Sequence, residues 1–194
     1  MPGRSPAEAV TNFLDPIQRA ISCVTRAPLI ISPGGRGVLG RVHSLTWDEA
    51  EPVRVRGPED DVLTLDLSIQ YEIVHIPQDR HRGPYKVSTR GYMHSLQTID
   101  GAEVIAFHRH PDGKSDVQDP HMHIGSTQLN PAGVITKKHH IPGRRMSVEE
   151  VLRYCIEQVG VEPLRPDWKP VLADSEDLFR LWATWGVGRQ LDGS

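Results

Sequence analysis

The chain has 194 residues, 38% apolar and 24% charged, with a formal net charge of −3. It is long enough to bury a core without staples, and too acidic overall for a molecule whose whole surface grips nucleic acid; any basic patch must be local. Two cysteines, Cys23 and Cys155, exclude a disulfide framework and a four-cysteine zinc site and fit a reducing cytoplasm, and no membrane-spanning run or secretory leader is expected.

Sixteen Pro and 17 Gly predict many turns and short elements. Ser5, Pro6 and Glu8 predict a capped helix over 5–14, with Ala9, Val10, Phe13 and Leu14 apolar. Pro16 should break it, and Ile17, Ala20, Ile21 and Val24 resume a 3.6-residue period beyond. Leu29–Ile31 is a candidate strand, and a soft boundary falls near 50–58. From 62 to 76, Leu63, Leu65, Leu67, Ile69, Tyr71 and Ile73 alternate with polar residues, the pattern of a half-buried antiparallel strand.

A second strand is expected over 85–99, with a bulge at Arg90-Gly91 where the alternation slips, then a hairpin turn at Asp100-Gly101. Further strands are expected at 103–110 and 121–127, and a fifth at 134–141. Ser147-Val148-Glu149-Glu150 reads as a capping box opening a helix to Gly160, with Val148, Val151, Leu152, Cys155, Ile156 and Val159 on one face. Residues 161–173 read as extended, and a last helix is expected from about Asp174 to Trp185 with Leu178, Leu181, Trp182 and Trp185 on one face. The sum is an α+β fold: an antiparallel meander of four to six strands packed on the helix 147–160, with N- and C-terminal helices. Its expected parts are a helical, irregular arm (1–55), a core (56–160) and a Pro-rich linker with a helix (161–194).

Ten histidines occur, six of them between 108 and 140, where an even spread would put about two. If Ile105 and Phe107 face the core, His108 and His110 project from the opposite face; Met122 and Ile124 set His121 and His123 likewise. Opposed side chains on neighbouring strands would then lie about 5 Å apart. Alternation lets one of His139 and His140 join, and His94 is a weaker candidate.

Three readings follow. The first is acid/base chemistry, with His123 and His140 as acid and base, and His108, His110 and His121 as further candidates. RNA phosphodiester cleavage also needs cations, and Lys137, Lys138, Arg144 and Arg145 lie in one acid-free stretch before the capped helix. This reading needs no cofactor. The second is a metal centre ligated by His108, His110, His121 and His123, for zinc or another divalent transition metal, although no carboxylate stands at an obvious ligand spacing. The third is that the histidines are solvated polar residues on an exposed strand face, as on a non-catalytic partner-binding or regulatory module of a bacterial defence system.

Gly35-Arg36-Gly37-Val38-Leu39-Gly40 spells GxGxxG, but strand-like residues follow, so a turn explains it better than a dinucleotide site. Cys155 lies on the apolar helix face and reads as core. Trp168, Trp182 and Trp185 are expected to pack the C-terminal segment onto the body.

Tyr92, Asp100-Gly101, His108-Arg109-His110-Pro111, Pro120-His121-Met122-His123 and His140-Ile141-Pro142-Gly143-Arg144-Arg145 together resemble the TumE-like endoribonuclease toxins of toxin–antitoxin operons over about residues 85–160. The resemblance implies a bacterial toxin, RNA as substrate and a helix-turn-helix antitoxin as partner. The N-terminal 50 residues and the Trp-bearing tail have no counterpart in that pattern.

Overall fold

A computed structural model describes residues 1–48, 51–77, 83–110, 117–125, 128–129, 140–182 and 184–185. The alternating segment forms β5 (Val62–His75), whose six alternating apolar side chains are all buried. Each stabilises the fold by about 1.5–3 kcal/mol relative to exposure. Its partner β6 (Tyr85–Thr98) runs antiparallel, and the register slips between Gln70 and Tyr71, leaving Arg90 as the extra residue of the expected bulge. Asp100-Gly101 closes the next hairpin. Gly101 adopts φ 83°, which glycine tolerates without a Cβ clash, and β7 (Glu103–Arg109) returns along β6.

The sheet extends on both sides of this pair. β2 (Leu29–Ile31) and β3 (Val42–Trp47) continue it beyond β5, while β8 (His121–Ile124) and β9 (Ile141–Pro142) continue it beyond β7. β4 (Val53–Arg56) pairs with β5, and two-residue strands β1 (Pro2–Gly3) and β10 (Thr184–Trp185) pair with β6. All ten described strands form one antiparallel-dominated sheet, with β10 alone parallel to its neighbour. β4 was not anticipated, because its Arg54 and Arg56 obscure a strand that buries only Val55.

Helix α1 (Pro6–Ile21) runs through Pro16 without the expected break. A proline there removes one backbone bond. Burial of Ala9, Val10, Phe13, Ile17, Ala20 and Ile21 outweighs that loss, and the Pro16 carbonyl also accepts the Ser175 hydroxyl at 2.9 Å. Ser5 caps the helix, but the Glu8 carboxylate accepts from Arg4 N rather than from Ser5 N. Helix α2 (Val148–Tyr154) has the expected reciprocal Ser147–Glu150 box and unwinds into one π turn (Cys155–Val159) before Gly160 at φ 89°. Helix α3 (Trp168–Trp182) starts six residues before Asp174, so the second half of the supposed extended linker is helical. Its buried residues are Leu172, Ser175 and Glu176, while Leu181 is 68% exposed. Polar contacts hold this helix: Ser175 reaches α1 and α2, and Arg153 pairs with Glu176 at 2.8 Å. Trp168 packs against the core, as expected of it.

One hydrophobic cluster joins α1, α2 and the inner sheet face, including Trp47, Tyr71, Leu96, Phe107 and Leu152. The opposite face of β5–β8 is the polar one, and it carries His108, His121 and His123. Among the described residues no helix is long and apolar enough to cross a membrane.

Candidate metal and acid/base site

In β7, Ile105 and Phe107 are each 5% exposed and face the helices. His108 therefore projects to the other side, and His110 follows one alternation later. The β7–β8 register sets His108 opposite His121 and Ala106 opposite His123, so one small residue leaves room beside two imidazoles. β9 lies on the far side of β8, pairing Pro142 with His121, and this brings His140 over the same face.

Five rings therefore meet. Centroid separations are 5.7 Å for His108–His121, 5.1 Å for His108–His123, 5.9 Å for His108–His110 and 5.1 Å for His110–His121. His121–His123, His121–His140 and His123–His140 are 5.1, 4.9 and 4.7 Å apart. One nitrogen from each ring lies within 4.8 Å of the others in two triads, His108/His110/His121 and His121/His123/His140.

His121 belongs to both triads and is only 3% exposed. Its Nδ1–H donates to the Asp119 carbonyl at 2.8 Å. A carbonyl only accepts, so this bond fixes the tautomer and leaves Nε2 with a lone pair. That Nε2 is buried and has no hydrogen-bond partner among the described residues.

Burial first, and then the neighbouring imidazoles, push His108 down to about 4. Burial likewise lowers His121, and the Asp119 bond only partly opposes it. Both rings are thus held neutral, the form that ligates metal or accepts a proton.

His94 sits on the other face. It is fully enclosed, stacked on Tyr92 at 5.1 Å, and burial lowers it to about 3. It is a core histidine and does not join the five. His43 is also structural: its Nε2–H donates to the Val38 carbonyl at 3.1 Å.

Of the expected phosphate-binding residues, Arg144 pairs with the Glu150 carboxylate at the start of α2. Arg145 lies near Arg109 and Tyr92. Lys137, Lys138 and His139 lie outside the described residues. Arg109 was not singled out from the sequence. Its strand parity places it on the side of Phe107, its guanidinium donates to the Arg90 carbonyl, and it lines one cavity together with His110.

Cys155 is buried, and burial pushes its thiol up to about 12, so it is an inert core thiol. The GxGxxG stretch forms turns bonded from Gly35 N to Ser32 O and from Gly37 N to Gly34 O, and it opens no helix.

No protein-family model matches the chain, and no curated protein or solved structure matches it.

Proposed function

We propose that the five-histidine face is a first-row transition-metal centre of a hydrolytic enzyme. The observation that carries this reading is the His121 Nε2: tautomer fixed by a backbone carbonyl, buried, unpartnered, and shared by two triads. A backbone carbonyl on the far nitrogen is the support that ligating histidines typically have. Leaving a buried acceptor unpaired costs roughly 1–3 kcal/mol, a cost that coordination removes.

Three imidazoles are the ligand count of a catalytic zinc site, which retains an open position; imidazole-only donors also suit copper, nickel and iron. A metal held there would supply Lewis acidity toward a substrate oxygen. The two rings left outside the occupied triad stand within 6 Å of its members and can carry protons. Because His121 Nδ1 is committed to Asp119, its ring offers one ligand atom and cannot bridge two ions. One ion per chain follows.

Zinc titration by calorimetry, with metal content of the purified protein, tests this. One ion should bind per chain. His121→Ala should abolish binding, and His75→Ala, an exposed histidine elsewhere, should leave it unchanged. Binding that survives His121→Ala, or two ions per chain, would contradict it.

RNA cleavage without metal, as in a TumE-like toxin with a helix-turn-helix antitoxin partner, is the second reading. It is favoured by the 4.7 Å approach of His123 and His140, the pair cast as acid and base, and by the neutral rings beside them. Cleavage that persists in chelator and is lost in His123→Ala would select it over the metal centre.

A further inference from the structure

We infer that the cavity between Arg109 and His110 is an oxyanion subsite, which holds a phosphate or carboxylate group of the ligand beside the imidazoles. The inference deepens the functional reading above by giving the substrate a negative charge, and its own test does not require a metal.

The cavity is about 170 Å³ and is lined by Ser68, Gln70, Tyr92, Met93, Arg109 and His110. It exists because of the β6 bulge. Gly91, the register partner of Gln70, brings no side chain to the gap between β5 and the end of β7. His110 and Arg109 therefore line the same cavity.

Arg109 is half-buried and donates one N–H to the Arg90 carbonyl, which fixes the fork. Among the described residues no carboxylate pairs with it. The nearby acid, Glu72, is already engaged by Arg90, whose Nε–H donates to it at 2.9 Å. Arg145, outside the cavity lining, is close enough to Arg109 to feel its charge: burial, and after it Arg109, hold its guanidinium below the usual range. Two neighbouring guanidinium groups, one of them without a carboxylate, are a charge arrangement that an oxyanion completes. Ser68 and Gln70 offer neutral donors on the same cavity wall, and the arrangement would set a bound oxyanion next to His110, a member of the first triad.

The probe is inorganic phosphate, titrated into chelator-treated protein and followed by amide chemical shifts. Saturable shifts at Ser68, Gln70 and His110 are expected, with affinity at least tenfold weaker in Arg109→Ala and partly kept in Arg109→Lys. The lysine variant carries the test if the alanine variant fails to fold, since Arg109 also holds the β6 bulge. Succinate added to the phosphate complex separates the sources: displacement assigns the cavity to carboxylates as well, and no displacement assigns it to phosphate. Shifts confined to other residues, or equal phosphate binding by Arg109→Ala, would overturn the inference. His75→Ala, outside the cavity lining, should bind phosphate like the wild type. Phosphate binding in a protein that takes no zinc would therefore sink the metal reading and leave this one standing.

Discussion

His94 and His108 sit on opposite faces of the sheet but share one physical consequence. Each is held below its ordinary value, at about 3 and about 4, with burial as the main cause. In the unfolded chain both titrate near 6.5. Their folded values are depressed, so the unfolded state binds more protons between these limits. The stability they allow is fully present above about pH 6.5 and is lost as pH falls toward 4 and 3, at up to about 1.4 kcal/mol per pH unit for each group. Glu149 works in the opposite sense. Burial raises its carboxyl, so its contribution is present at low pH and is lost as pH rises through the raised value. Denaturant titrations from pH 4 to 7 should show stability rising with pH in the wild type. His94→Phe should flatten that slope, because its aromatic ring can still stack on Tyr92. Glu149→Gln should add about 1 kcal/mol at pH 7, since a neutral amide can keep a hydrogen bond to Ser175 without burying a charge.

At the scale of elements, the site depends on how β8 is held against β7. Gly125 ends β8, donating its N–H to the Val104 carbonyl at 3.0 Å, and a Cβ built there would lie 1.5 Å from the Glu103 carbonyl oxygen. No side chain can occupy that position without separating the strands. Gly125→Ala should therefore weaken metal binding at least tenfold although it removes no ligand, with a smaller loss of global stability; calorimetric zinc titration beside thermal melts checks both. The π turn after α2 and the polar seating of α3 belong to this scale too. α3 is fixed through Ser175 and Glu176 rather than through an apolar stripe, so Ser175→Ala should cost about 1–2 kcal/mol by removing the hydroxyl that contacts both Glu149 and the Pro16 carbonyl. Denaturant melts of that variant give the value directly.

Over the whole molecule, the legible parts were those set by short-range periodicity. The alternation of β5, the slip at Arg90, the Asp100-Gly101 turn and the Ser147 box are local signals, and each forms in place. The opposite projection of Phe107 and His108 is equally local, and it makes the convergence of four imidazoles readable from the sequence. What could not be read depended on distant partners. Pro16 survives inside α1 because the residues on both sides of it, Phe13, Ile17, Ala20 and Ile21, are buried against distant elements. α3 begins early and turns its polar residues inward because Glu149 and Arg153 of α2 receive them. The parity of Arg109 assigns it to the core side, and its place in the cavity with Ser68 and Gln70 depends on strands that its own segment does not specify.

The central claim is that His121 and two partners form a nitrogen-only metal site, and X-ray absorption of the zinc-loaded protein addresses it most directly. The account predicts a first shell of nitrogen and oxygen scatterers near 2.0 Å, with the outer-shell signature of three imidazoles and no sulfur. A spectrum with sulfur in the first shell, or with fewer than two imidazoles, would contradict it.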